Sequence, residues 1–356
     1  MNGSDLQTLA HQRQAQVDGV LDRFFSLAKN RAEPFGREYV ELWNALEANT
    51  TGGKRFRPRM VFSAYEALGG KDLEAAAYVG AAFELLHTAL IVHDDVIDHD
   101  FSRRGIPNIS GIYRTRAKQR GASQEVAEHN GISVAVIAGD LALFNAARLI
   151  ERSGVDFLTR TRLLDVMDDA LFASAAGELI DVDFSIAVDM PRVDEILMME
   201  RYKTAVYSFE CPLQAGAILA GGSDEVVATL GDFGREIGIA YQIVDDLLGV
   251  FGEEAETGKT TIGDLREGKR TVLISYVTST SEWASIEPLI GKPDLTEDEA
   301  AGVREVLISS GARSFAQGLA RYYANRALAR LAEPHIPAAL RNELHPVADA
   351  VLGRVK

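Results

Sequence analysis

Two paired-aspartate clusters are the residues whose type and spacing best suit chemistry. Asp94, Asp95 and Asp98 lie in HDDVIDHD, and Asp245 and Asp246 lie in YQIVDDLLG. Both stretches are strongly apolar, and there an ionised carboxylate costs on the order of several kcal/mol unless a cation or hydrogen-bond donor compensates it. On a helix Asp94 and Asp98 share a face, with Asp95 about 100° away, so the pair can grip hard cations from one side. Carboxylate-only ligation favours magnesium over zinc or copper, and magnesium held this way keeps positions for water and phosphate oxygens. A phosphorylated substrate is the natural inference. A lone DDxxD is more often a solvated helix end; two clusters in apolar context reverse that preference.

Basic residues supply the other half of such a site. Arg103 and Arg104 follow the first cluster, and GGKRFRPR sets Lys54, Arg55, Arg57 and Arg59 behind a glycine pair at a loop-to-helix junction. Arginine forks match diphosphate oxygens, and helix starts add backbone donors. Lys203 in RYKTAVYS, Lys259 in ETGKT and Lys269 in REGKR form a third set.

In order along the chain stand GGKRFRP, HTALIVHDDVIDHDFSRRGIPN, AGDLAL, GELIDVD, YKTA, YQIVDDLLGVFG and TGKTTIGDLREGKRT. This series resembles the trans-isoprenyl diphosphate synthases, the chain-elongating prenyltransferases, and the geranylgeranyl diphosphate synthases of bacteria in particular. The resemblance implies a single all-α domain over residues 1–356, a large helical bundle around a central active-site cavity. It implies magnesium, three ions per active site, held by Asp94, Asp98 and Asp245, with Asp95, Asp246 and Lys203 completing the catalytic set. It assigns an allylic prenyl diphosphate to Arg103, Lys203 and Lys259, and isopentenyl diphosphate to Lys54, Arg57, His87 and Arg104. Thr204, Gln242 and Lys269 join the substrate-binding residues, with Gln242 orienting the second metal face. His93 is expected to pack or hydrogen-bond. A homodimer in the cytoplasm is also implied.

One position departs from the family. Its second aspartate motif usually reads DDxxD, and here the fifth position is Gly249. Glu253 and Glu254 are candidate substitutes, and Gly249→Asp is expected to be neutral or mildly activating. A terpene cyclase remains an alternative, although it has no use for GGKRFRPR. A non-catalytic regulatory subunit is another, although only Gly249 is eroded.

Product length is partly readable. A tail growing from a diphosphate at Asp94 runs back along the helix past Leu90, Ala89, Leu86 and Phe83. Ala89 is small and leaves the mouth open, against a strict fifteen-carbon product. Phe83, about 16 Å back along the axis, is the bulkiest candidate floor, favouring twenty carbons; a farnesyl or longer product is the alternative. Ordinary core packing is the competing role for Phe83.

The elements that must position these groups are helical throughout. Alanine and leucine dominate the long segments, and Gly69-Gly70, Pro191, Gly221-Gly222, Pro288 and Gly311 fall at helix ends. The expected helices are 5–29, 35–49, 55–68, 72–99, 131–152, 156–184, 192–220, 224–252, 270–281, 297–309, 313–332 and 338–354, with the two aspartate helices facing one another across the cavity. The run 75–92 approaches membrane-spanning length, but it leads straight into Asp94 and Asp95 and reads as the central helix of a bundle. GEEAETGKT mimics a phosphate-binding loop, yet places five residues between Gly252 and Gly258 where four are needed and follows a helix.

The 356 residues carry a net charge of −15, which argues against nucleic-acid binding and requires a local basic field to capture anions. Cys211 is the only cysteine, so an intrachain disulfide and a thiolate metal site are excluded. The amino terminus lacks the basic start and apolar run of a signal peptide.

Overall fold

The computed structural model describes residues 3–53, 55–103, 105–187, 189–252 and 261–354. Among them the architecture is all-α, as expected. The first half runs through α1 (Gly3–Ala32), α2 (Arg37–Thr50), α3 (Phe56–Ala67), α4 (Leu73–Ile97), a small hairpin of β1 (Ser102–Arg103) and β2 (Ile106–Pro107), α5 (Ile109–Gln119) and α6 (Gln124–Glu151). Next come α7 (Phe157–Ile186), α8 (Val193–Glu200), a π-helical segment Arg201–Glu210, α9 (Cys211–Leu219) and α10 (Asp224–Phe251). The chain closes with α11 (Gly263–Glu267), α12 (Val272–Thr278), α13 (Trp283–Ile286), α14 (Glu297–Ser309), α15 (Ala312–Leu331) and α16 (Ala338–Arg354).

The short helices α11 and α13 and the β1–β2 hairpin were not expected, and among the longer helices three expectations change. Helix α5 was not expected, because IYRTRAKQR presents no apolar stripe. Helix α6 starts at Gln124 and not at 131, capped by the Ser123 hydroxyl, which accepts from Val126 N. The helix expected over 192–220 is interrupted by the π segment.

The residues pack as two compact units, one of residues 1–167 with 212–222 and the other of 168–211 with 223–356. In the first, α4 is the core. Asp72 caps its start by accepting from Ala75 N, and Ala76, Val79, Ala81, Ala82, Phe83 and Leu85 are each fully buried. Ala135, Ala138, Ala142 and Ala146 make a buried small-residue stripe on α6, whose main partner is α4. In the second unit α10 is the core, packed on α15 and the π segment. Cys211 is buried, and burial, reinforced by Glu210, pushes its thiol well above the ordinary range.

Helices α4 and α6 are each long and apolar enough to cross a membrane by length and composition. The apolar window of α4 is 78% buried inside the protein, whereas that of α6 is 33% buried. The first is therefore accounted for by the core.

Candidate active site

Asp94 and Asp95 lie on the last turn of α4, and Asp98 is its C-cap, with Asp98 N still donating to Asp94 O at 2.9 Å. His99 then adopts the left-handed conformation (φ 56°), and Asp100 N donates back to Asp95 O at 2.8 Å. This six-to-one closure is a Schellman ending. It stops the helix where Asp94 and Asp98 are still in register.

The adjacent aspartates differ in setting. Asp94 keeps 23% of its side chain exposed, Asp95 only 3%. Arg103 serves both: Nε donates to Asp95 Oδ1 at 2.9 Å and Nη2 to Asp94 Oδ2 at 2.9 Å. The β1–β2 hairpin presents it, and Gly105 (φ 74°) supplies the turn. Burial raises the Asp95 carboxyl above its usual range, with Arg103 and Asn108 pulling the other way. Asn108 caps α5, accepting from Gly111 N, and donates to Asp100 O at 2.9 Å.

His87 and Leu90 are half-buried on the stripe of α4 that leads to Asp94, whereas Phe83, Leu86 and Ala89 are buried. His93 Nε2 lies 3.4 Å from Asp140 Oδ1. A Cβ on Gly139 would stand 2.9 Å from the His93 ring carbon Cε1, so glycine there admits the imidazole. His93 is the packed, polar-contacted residue that was expected.

Of the cations behind Gly52-Gly53, Arg55 turns inward. It takes a left-handed conformation (φ 45°) at the N-cap of α3. Nε donates to Asp18 Oδ1 at 2.9 Å, and Nη1 to Thr50 O at 2.7 Å and to Glu84 Oε1 at 3.2 Å. Arg55 is thus buried structure, while Arg57, in the first turn of α3, is half-buried and Arg59 exposed. Lys54 and Arg104 lie outside the described residues.

In the second unit, Lys203 and Thr204 sit on the π segment, an arrangement often found where a helix carries functional side chains. Lys203 Nζ meets Asp181 Oδ2 at 2.6 Å and Glu178 Oε2 at 3.1 Å, both on α7. GELIDVD is therefore the cradle of Lys203, a role that sequence reading did not assign. Lys269 Nζ lies 2.8 Å from Asp264 Oδ1 and 3.3 Å from Glu267. Burial opposes its charge, but those carboxylates outweigh it and raise the ammonium above its ordinary range. Lys259, Glu253 and Glu254 lie outside the described residues.

The second aspartate pair repeats the pattern of the first. The Asp245 side chain is 36% exposed and 3.8 Å from Arg354 Nη2, whose guanidinium lies 5.2 Å from the Tyr241 ring centre. Asp246 is buried, and Gln242 Nε2 donates to its Oδ1 at 3.1 Å. Burial raises the Asp246 carboxyl to about 7. Glu200 faces it, also buried, and is pushed well above the carboxylate range by burial and by Asp246. Neither Glu200 oxygen has another hydrogen-bond donor, so a proton held between Glu200 and Asp246 satisfies both. Glu200 was missed in sequence; its only signal is one acid in the apolar run ILMME.

Among the described residues no group of three or more His, Cys, Asp or Glu side chains forms a ready cation cage. The partly exposed carboxylates of Asp94 and Asp245 are of the type that magnesium takes, one or two at a time, beside water and phosphate oxygens.

Comparison with known proteins gives a concordant picture. The polyprenyl synthetase family model matches residues 40–307. The chain is 33% identical over 317 residues to the geranylfarnesyl diphosphate synthase of Aeropyrum pernix, covering 88% of this chain and 93% of that one. It is 33% identical over 261 residues to the geranylgeranyl diphosphate synthase of Sulfolobus acidocaldarius, covering 71% and 73% respectively. Its fold superimposes with a TM-score of 0.89 on a geranylgeranyl pyrophosphate synthase from Corynebacterium glutamicum complexed with isoprenyl diphosphate and magnesium. The two are 29% identical, over 97% of this chain and 99% of that one.

Proposed function

The chain belongs to the polyprenyl synthetase family and is a chain-elongating trans-prenyltransferase; from that premise we propose that it condenses isopentenyl diphosphate with an allylic diphosphate to give geranylgeranyl diphosphate. The observation that carries this reading is the division of labour within each aspartate pair. The first member, Asp94 or Asp245, is partly exposed, at 23% and 36% of its side chain, and is the one we assign to a cation. The second, Asp95 or Asp246, is buried and held by Arg103 or Gln242.

Asp94, Asp98 and Asp245 would hold magnesium, with three ions as the full complement. Bound there, magnesium supplies charge neutralisation for the leaving diphosphate. Arg103, Lys203 and Lys259 add positive charge around the same group. The allylic carbon–oxygen bond breaks and the electron pair leaves with the diphosphate. Isopentenyl diphosphate, held by Lys54, Arg57, His87 and Arg104, then donates its double bond to the allylic cation. Loss of a proton to the departing diphosphate restores neutrality at carbon, so no side-chain base is required. Thr204, Gln242 and Lys269 complete the substrate shell.

The family match runs through both compact units, which supports reading residues 1–356 as one catalytic domain. We further infer a cytoplasmic homodimer without a membrane span. On α6, Val126, Ile137 and Phe144 are exposed by 58%, 51% and 69%, an apolar surface that a second copy would cover. Sedimentation of the purified protein at micromolar concentration decides the last point: a monomer would overturn it.

Incubating the purified chain with magnesium, isopentenyl diphosphate and a farnesyl primer tests the reaction. Chromatography of the dephosphorylated products should give the twenty-carbon alcohol. Asp94→Ala and Asp245→Ala should each lower turnover by orders of magnitude with helicity unchanged. Full activity in excess chelator would sink the mechanism.

A further inference from the structure

The last turn of α10 leaves carbonyl groups that the helix itself does not bond. Gly252 N takes Leu248 O at 2.9 Å, and the carbonyl of the buried Val250 is met from outside: Arg304, on α14, donates from Nε to Val250 O at 2.8 Å. The same guanidinium reaches the chain just before α11, where Nη2 donates to Thr261 O at 3.1 Å and to Thr261 Oγ1 at 2.9 Å. One side chain, 21% exposed, thus ties the end of α10 to the start of α11. A cation also suits the negative end of a helix. The remaining nitrogen, Nη1, lies 3.4 Å from Glu297 Oε2, a solvated carboxylate whose pairing adds little.

The grip is returned from the other side. Arg266, on α11, donates from Nε and Nη2 to Leu295 O at 3.1 and 2.7 Å, just before α14 begins at Glu297. Gly291 N donates to Leu265 O at 2.8 Å, and Ile262, Leu265 and Leu295 are all buried. Helix α11 has only five residues, too few to hold a helix by its own cooperativity. It is held by α14 and the turn before it. What the clamped elements carry gives the clamp its use: α10 bears Asp245, and α11 leads through Gly268 directly to Lys269.

We propose that Arg304 is a positioning residue for prenyl transfer. It holds α11 against the end of α10, and so sets Lys269 relative to Asp245, without itself touching substrate. Lysine cannot replace it, because an ammonium is a point charge without the planar fork that meets carbonyls on two separate segments.

The inference rests on the reading of Asp245 and Lys269 as groups that serve the allylic diphosphate, so its test separates the two. Initial rates are measured with farnesyl diphosphate and isopentenyl diphosphate varied in turn. Arg304→Ala should lower kcat/KM for farnesyl diphosphate by about ten- to a hundred-fold, the scale of a small misplacement made away from the chemistry. KM for isopentenyl diphosphate, assigned to residues of the other compact unit, should stay at the parent value. Arg304→Lys should lose nearly as much as Arg304→Ala, which separates the bridge from the charge. Thr261→Val, which removes only the hydroxyl contact, should fall between these variants and the parent. Glu297→Gln leaves every carbonyl contact in place and should match the parent. Parent kinetics in Arg304→Ala, equal losses toward both substrates, or full activity in Arg304→Lys would overturn the assignment. Melting temperatures are taken alongside: if Arg304→Ala does not fold, Arg304→Lys and Thr261→Val decide by the same split between substrates. The underlying reading fails in a different way. If Asp245→Ala and Lys269→Ala keep the parent kcat/KM for farnesyl diphosphate, that reading is wrong whatever Arg304 does.

Discussion

Gly177 of α7 lies directly against the backbone of Lys203. A Cβ at 177 would stand 2.6 Å from Lys203 Cα and 2.7 Å from the Tyr202 carbonyl carbon. The π segment can therefore approach α7 closely enough for Lys203 Nζ to reach Glu178 and Asp181. Gly177→Ala should push the segment outward and lower kcat for the allylic substrate by about a hundred-fold, the scale of an ångström-sized misplacement. Far-UV circular dichroism should be unchanged. A wild-type kcat in this variant would show that the contact does not set Lys203.

The cations of GGKRFRPR separate into two kinds. Arg55→Ala leaves Asp18 and Glu84 without their arginine and should cost about 3–5 kcal/mol of stability. Enzyme that remains folded should keep its Michaelis constant for isopentenyl diphosphate. Arg57→Ala should do the reverse, raising that constant while leaving the melting temperature nearly unchanged. Denaturation midpoints and initial rates on the two variants distinguish them; identical behaviour would show the split is wrong.

The Glu200–Asp246 pair makes stability fall as pH rises. The folded-state pKa of Asp246 lies near 7, above the ordinary 3.8. Between those values the folded chain binds more protons than the unfolded one, so stability is full at the acid end and is lost toward pH 7. Glu200→Gln keeps a hydrogen-bond donor toward Asp246 but removes one titrating group. Its melting temperature should decline less between pH 5 and pH 8 than that of the parent. Parallel declines would mean that the pair does not share a proton.

Product length should respond to the core face of α4. Phe83 and Ala89 are both fully buried, so Phe83→Ala opens space deep in the first unit and Ala89→Phe fills it near the aspartates. The first should lengthen the product and the second shorten it. Phe83→Ala also costs about 3–5 kcal/mol as a cavity, so the assay belongs at low temperature. Unchanged chain lengths in both variants would mean that the tail takes another path.

What could be read from sequence follows from what leaves a local signature. Asp94, Asp95, Asp245 and Asp246 were legible because ionisable groups in apolar helices demand an explanation. The breaks before α4 and α10 were legible from Gly69-Gly70 and Gly221-Gly222. The π segment was not, because lengthening a hydrogen-bond register over Arg201–Glu210 changes no residue pattern. Helix α5 was missed because it carries polar and basic residues at most positions. The roles of Glu200 and Arg55 depend on carboxylates between 29 and 46 positions away, and no local periodicity encodes those meetings. Gly249 was legible as a gap in a pattern; the Asp264 carboxylate beside it was not.

The solitary, buried thiol at Cys211 makes the native chain a ready background for spectroscopy. At 1% exposure and with its ionisation suppressed, it should resist maleimide reagents while the protein stays folded. Cysteines introduced at exposed positions, one on α6 and one on α15, could then carry a donor and an acceptor dye without first removing the natural residue. Fluorescence transfer between them would report any change in the distance between the two dyes during turnover, in an enzyme otherwise unchanged.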